Sequence, residues 1–485
     1  MDPHHRDLRR EERRVEARSG AFKKELGLVD LALTQVLFIV GLPWIGVAAK
    51  QGQSHVVLWL AAMLLFYVPS ARVVTYLNRL MPLEGGLYQW AKLGGSELLG
   101  FMVAWNLWLF AILNSSEIGL QVTQYLRYVL GPGAARLTEN KAFIGAVSVT
   151  MIGALVLLTT VGLGAGKWVH KAGGALMLLT FLAIMALPWL GVAHGSLAAY
   201  HPLRMEMPVL SLMTLNVLGK MGFGALGGFE YVAIHAGECR DPVRTITRSI
   251  ALAAPVIAAM FILGTSAVLA LVPQGQIDLI APIPQVLSVG FSALRVAAPI
   301  ASLAILALLC IRVAQSSVMF AGNTRLPMVA GWDRLLPESF TRLHARYRTP
   351  VNSILFVGAA TLVLSIVGLI GVGKQEAFQL LWNASGVFYA LPYLAMFAIP
   401  LVGLRGIEPR PTAGLRACAL SGLLMTILYV MVSIVPLVEV ESHALFAAKI
   451  SGLIVTANVL GLMIYLARIH KQRDSRSSNA TGGVE

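Results

Sequence analysis

The stretch FGALGGFEYVAIHAGECRDPVRTITR, residues 223–248, decides the fold. With Gly222 just before it, it sets Gly224, Gly227, Gly228 and one carboxylate, Glu230, into an otherwise apolar helical run. Each such glycine weakens a helix interior by roughly 1 kcal/mol relative to alanine. Broken backbone at membrane depth survives only where it is buried in protein or lines a cavity. The stretch therefore reads as an interrupted membrane helix built around a binding site.

The rest of the chain supplies the membrane. Hydrophobic residues make up 57% and charged residues 13%, with a mean hydropathy of +0.73, outside the range of soluble domains. Windows of about twenty apolar residues, each enough to cross a hydrocarbon core of roughly 30 Å, recur along the chain and predict about twelve transmembrane helices. They fall near 27–49, 56–77, 96–128, 142–163, 173–193, 210–237, 249–272, 296–320, 351–372, 377–403, 417–438 and 446–467. The expected class is an all-α, multi-pass protein of the cell membrane, plasma or inner.

Most Lys and Arg fall in segments that share one side if residues 1–26 and 468–485 form cytoplasmic tails, so both termini are expected in the cytoplasm. The net charge of +14 is mostly this asymmetry, reinforced by an Arg-rich N-terminal arm that can touch anionic headgroups. The arm mixes acids with bases, and nucleic acid is not an expected partner. Cys239, Cys310 and Cys418 lie far apart and suggest no disulfide framework. No metal-ligand spacing and no nucleophile–base pair emerges, so no cofactor, no metal and no enzymatic activity are expected.

A second interruption lies in the first span, where the run from Leu31 to Val40 meets Gly41, Leu42, Pro43, Trp44, Ile45 and Gly46. Proline removes a backbone donor and glycine permits unwinding. The two breaks are about 180 residues apart with five spans from the first helix to the sixth, an odd number that inverts the second unit, as in inverted-repeat transporters. The plainer alternative is glycine and proline placed for helix packing.

Three motifs carry a family resemblance over about residues 25–470. Ala225-Leu226-Gly227-Gly228-Phe229-Glu230, followed by Gly237-Glu238-Cys239-Arg240-Asp241-Pro242, is similar to A-F-S-G-F-E with E-x-x-N-P. Pro82 to Trp90 is similar to P-x-x-G-G-x-Y-x-W, and Arg325 through Asp333 to Pro337 to a cytoplasmic R-x7-D-x3-P loop. The chain thus resembles the amino acid, polyamine and organocation (APC) transporter superfamily.

That resemblance implies a leucine-transporter-like core of two inverted five-helix repeats, here residues 27–193 and 210–403, with two further helices over 417–467. It implies alternating access and a substrate held at the two breaks, at Gly41, Leu42, Pro43, Trp44 and Gly46 and at Phe223, Gly224, Ala225, Leu226, Gly227, Gly228 and Phe229. Unpaired amides at a half-helix N-terminus are a cradle for a carboxylate. The usual first-helix G-S-G is here Gly41-Leu42-Pro43, which lacks the hydroxyl and one amide and raises a polyamine substrate as the alternative to an amino acid. The usual aromatic gate is Leu226, leaving Trp44, Phe223 or Phe229 for that work. Residues 131–141, where heteromeric members carry a linking cysteine, contain none, so no disulfide-linked subunit is expected.

Individual residues carry paired readings. Glu230 is a candidate for proton coupling or for interhelical hydrogen bonding. Asn114 and Glu117 could meet a substrate ammonium or a neighbouring helix. Lys220 and Arg312 lie well inside spans, where an unpaired cation costs about 3 kcal/mol or more, so pairing with Glu117 or Glu230 competes with a substrate role. Ser316 and Ser317 could offer hydroxyls to Na+, or simply pack. Trp105, Trp108, Tyr389 and Tyr393 are pathway candidates on helices three and ten. The expected function is a proton-coupled amino acid permease, with a polyamine symporter or exchanger and a non-transporting nutrient sensor as alternatives.

Overall fold

The computed structural model describes residues 13, 17, 24, 26–296, 298–325, 336–368, 374–402, 409–437, 440 and 442–481. Among these there is no strand; the one β-bridge joins Leu26 and Cys239. The helices relevant to the site are α1 (Leu28–Ile39), α2 (Leu42–Ala49), α3 (Gly52–Leu80), α4 (Leu87–Gly94), α5 (Glu97–Leu130), α6 (Lys141–Val161), α7 (Leu163–Ala193) and α8 (Leu212–Gly219). After the second break come α9 (Pro242–Leu271), α10 (Pro282–Ala293), α11 (Ala298–Asn323), α12 (Val351–Val367), α13 (Lys374–Val402), α14 (Ala413–Val432) and α15 (His443–Thr481).

Nine helices among the described residues are long and apolar enough to cross a membrane, and the bent pair α1–α2 makes a tenth. The two other spans expected from sequence correspond to α12, apolar but only 17 residues long, and to the interrupted segment beginning at α8. Leu64, Leu157, Leu182, Met431 and Val459 point outward, an apolar exterior suited to hydrocarbon. Helix starts follow local chemistry: Ser96, Asn140, Ser211, Asp241 and Thr412 each accept a hydrogen bond from a backbone amide of the first turn.

Two features depart from the sequence reading. Residues 273–295, read as a connection, contain the twelve-residue α10, started by Pro282 where a missing N–H costs nothing. The last helix does not stop at 467 but runs on to Thr481. In the centre of the bundle α1 packs against α9, α7 and α11, and α13 packs along α5 and α14. The two interrupted segments meet inside this ring.

Candidate functional site

The first break bends the chain by 46° between α1 and α2. The Gly41 amide turns back to the Ile39 carbonyl at 2.7 Å, and Trp44 bonds the Gly41 carbonyl at 3.1 Å. Leu37 and Val40 thereby lose helical partners for their carbonyls. Gln315 on α11 replaces both, its Nε2 donating to each at 2.9 Å. A buried carbonyl left without a donor costs about 1–3 kcal/mol, so this one amide side chain sustains the break.

The second break begins where α8 widens into a π turn, Lys220–Ala225, and resumes as a 3-10 helix, Tyr231–Glu238. Gly228 has a φ of +140°, which side-chain-bearing residues rarely adopt. A Cβ there would lie 2.7 Å from both Phe38 and Ile39 of α1. A Cβ on Gly224 would lie 2.6 Å from the Trp44 ring. The glycines let the two breaks approach face to face.

Glu230 is buried at this junction. The hydroxyls of Tyr389 and Tyr393, both on α13, donate to its two carboxylate oxygens. Tyr393 also accepts the Gly228 amide at 2.8 Å. The carboxylate, the broken backbone and α13 therefore form one hydrogen-bonded unit.

A cavity of about 70 Å³ lies between the breaks, lined among others by Gly41, Phe110, Phe223, Gly224, Tyr389 and Arg312. Beside it is a vestibule of about 910 Å³ that reaches Lys50 and Gln276. Trp44 and Trp382 line both spaces, with ring centroids 5.0 Å apart, and so form the partition. The opposite side is closed by Phe38 stacked on Tyr231 at 4.0 Å. Beyond that, Leu26 bonds the Glu238 carbonyl at 3.1 Å, and the Gly237 amide donates to Glu84 at 2.8 Å. Arg325 lies 3.5 Å from Glu84 and pairs with Glu238. Burial and the neighbouring Glu238 push the Glu84 carboxyl up to about 8, against the pull of Arg325.

The sequence-nominated residues divide by position. Gly41, Trp44, Asn114, Phe223, Gly224, Gly227 and Arg312 line the central cavity; Pro43, Trp44 and Lys220 line the vestibule. Leu42, Ala225, Leu226 and Phe229 are buried away from both spaces, Phe229 stacking on Tyr67 at 4.6 Å. Gly46 abuts Pro282 of α10. Neither Glu117 nor Glu230 makes an ion pair with Lys220 or Arg312 within 4.0 Å among the described residues, although Glu117 and Arg312 interact electrostatically. The Lys220 Nζ is buried without a hydrogen-bond partner among the described residues, and the buried Glu117 carboxylate has Gln121 of its own helix beside it. Ser317 faces His170 at 3.3 Å, and the Ser316 hydroxyl is buried without a partner among them. Asp333 lies outside the described residues.

Trp105 and Trp108 line neither space: Trp105 donates to the Ala457 carbonyl at 2.9 Å and Trp108 stacks on Phe356. Tyr389 lines the central cavity, and Tyr393 lies behind it against Glu230 and Gly228. Gln315 and Trp382 also line the cavity, although neither is among the residues that the sequence nominates. A glutamine directly before Ser316 in an apolar span was the available signal for the first; nothing local distinguished the second.

The amino acid permease family matches residues 26–462. An uncharacterized transporter of Legionella pneumophila is 24% identical over 394 residues, covering 81% of this chain and 83% of that protein. A probable agmatine/putrescine antiporter, AguD, of Lactococcus lactis is 20% identical over 405 residues, covering 83% and 84%. The branched-chain amino acid permease BcaP of Bacillus subtilis is 24% identical over 398 residues, covering 76% and 82%. With its broken helices, central cavity and a family match over most of its length, the chain belongs to the amino acid permease family of APC transporters.

Proposed function

We propose that this protein is a secondary active transporter for amino acids, working by alternating access through twelve membrane helices with both termini in the cytoplasm. The observation that carries the reading is the pair of interrupted helices enclosing a cavity, with a vestibule on one side and a packed, ion-paired seal on the other. A site reached from one side only, with a partition as thin as Trp44 and Trp382, needs small side-chain movements to occlude and a larger rocking to open the far side.

An amino acid is favoured over a polyamine by charge. Among the described residues, Arg312 is the one ionisable side chain with permanent charge lining the central cavity, and it is cationic. Glu230, the acid bonded to the cavity-lining Tyr389, already receives two phenol donors. Phe110, Phe223, Met319 and Trp382 suit an apolar side chain.

Glu230 is the proposed proton-coupling group. As a carboxylate it accepts from both tyrosines. On protonation it must donate one of those bonds, which reverses a link between α13 and the second break. Substrate-linked movement of that break would then carry a proton.

Counterflow in proteoliposomes tests the reading. Neutral, acidic and cationic amino acids should be compared with putrescine and spermidine. Exchange of neutral amino acids is the expected result; exchange confined to the polyamines would reject it.

A further inference from the structure

The geometry points to Arg312 as the anchor for the substrate's carboxylate, an assignment that rests on the amino acid transport reading and deepens it. Most of the break-site amides expected to cradle a carboxylate are engaged within the protein. At the first break, Val40, Gly41 and Trp44 bond Val36, Ile39 and Gly41 carbonyls, and Pro43 has no amide hydrogen. At the second, Leu226 bonds back into the π turn, Gly227 bonds the Phe223 carbonyl, and Gly228 bonds Tyr393. A carboxylate entering between the breaks therefore needs donors beyond the few amides left.

Arg312 supplies them. Its side chain lines the cavity at 7% exposure, and its Nε and one terminal nitrogen, Nη2, have no hydrogen-bond partner among the described residues. Nε and Nη2 form an edge of the guanidinium fork that matches a carboxylate's two oxygens. Arg312 sits one helical turn before Gln315, which fixes the first break from the same face of α11. Glu117 interacts with Arg312 electrostatically while making no hydrogen bond to it. It lowers the field of the cation without occupying the fork. A zwitterion can then place its carboxylate on Arg312 and its apolar side chain among Phe110, Phe223 and Trp382.

The test compares amino acids with carboxylate-blocked analogues, using leucine, alanine and phenylalanine beside their amides. Binding to the purified full chain is measured by titration calorimetry for the wild type and for a Glu117→Gln/Arg312→Gln double variant. The double change avoids leaving Glu117 as an unpaired buried charge. The wild type is expected to prefer acid over amide by about 10- to 100-fold, the range of a charge-assisted bond. In the double variant that preference should vanish while amide affinity changes little.

A wild type that binds amide as tightly as acid overturns the assignment without any variant. So does a double variant that keeps the wild-type preference, as a purely structural Glu117–Arg312 pair would allow. In either case amino acid counterflow would still stand. A wild type that binds and transports no amino acid overturns the transport reading and this assignment together.

Discussion

Gly228 and Tyr393, 165 residues apart in sequence, are joined by a hydrogen bond of 2.8 Å from the glycine amide to the phenol oxygen. The same oxygen donates to Glu230, so the open backbone of the second break and its acid share one anchor on α13. Removing that hydroxyl should therefore unsettle two groups at once. Tyr393→Phe is expected to cost about 2–3 kcal/mol, since it leaves a buried amide and one carboxylate oxygen without a partner. Tyr389→Phe, which loses the bond to Glu230 and a longer one of 3.3 Å with the Tyr393 hydroxyl but strips no backbone amide, should cost about half as much. Thermal unfolding in detergent distinguishes them, and equal losses would contradict the shared-anchor geometry.

Gln315→Leu should be destabilising although it makes the span more apolar. It strips the Leu37 and Val40 carbonyls of their donor, at about 1–3 kcal/mol for each buried acceptor. A stability unchanged from wild type, measured by the same unfolding assay, would show that the first break does not depend on this side chain.

The breaks themselves were legible in sequence because glycine and proline disfavour helix wherever they fall. Gly41, Pro43, Gly224 and Gly228 announced both positions, and Gly228 turned out to be demanded by its positive φ and by Phe38 pressing against it. What covers each break was not legible. Gln315, Trp382 and Tyr393 come from helices remote in sequence, and an apolar membrane span is hydrophobic on every face, so no periodicity tells which face turns inward. Trp105 and Trp108 shared the aromatic signature of Tyr389 and Tyr393 yet face other helices. α10 carries no span signal in sequence, because twelve residues are too few to cross a bilayer.

Glu230→Gln mimics the protonated acid. The variant should retain exchange of substrate for substrate while losing stimulation by an imposed pH gradient. Uptake that still follows the gradient as in wild type would place coupling elsewhere. Strict dependence on sodium would instead direct attention to Ser316 and Ser317.

The seal carries its own pH dependence. Glu84 has its carboxyl raised from 4.5 to about 8, so the folded protein holds this proton more tightly than the unfolded chain. The stabilisation that follows is complete below about 4.5 and is lost as pH rises through about 8. Thermal stability should accordingly fall between pH 6 and pH 9, and Glu84→Gln should flatten that fall. A variant with the wild-type slope would show that other groups set it.

Protection of a single cysteine tests the location of the substrate most directly. Cys239, Cys310 and Cys418 are first replaced by serine, and Ser385→Cys in the central cavity is compared with Ser288→Cys in the vestibule. A saturating transported amino acid should slow thiol labelling of Ser385→Cys by at least about tenfold, the sheltering expected of a ligand buried in a pocket, and leave Ser288→Cys reactive. If Ser385→Cys transports the amino acid yet labels equally fast with and without it, the substrate does not sit between the two breaks.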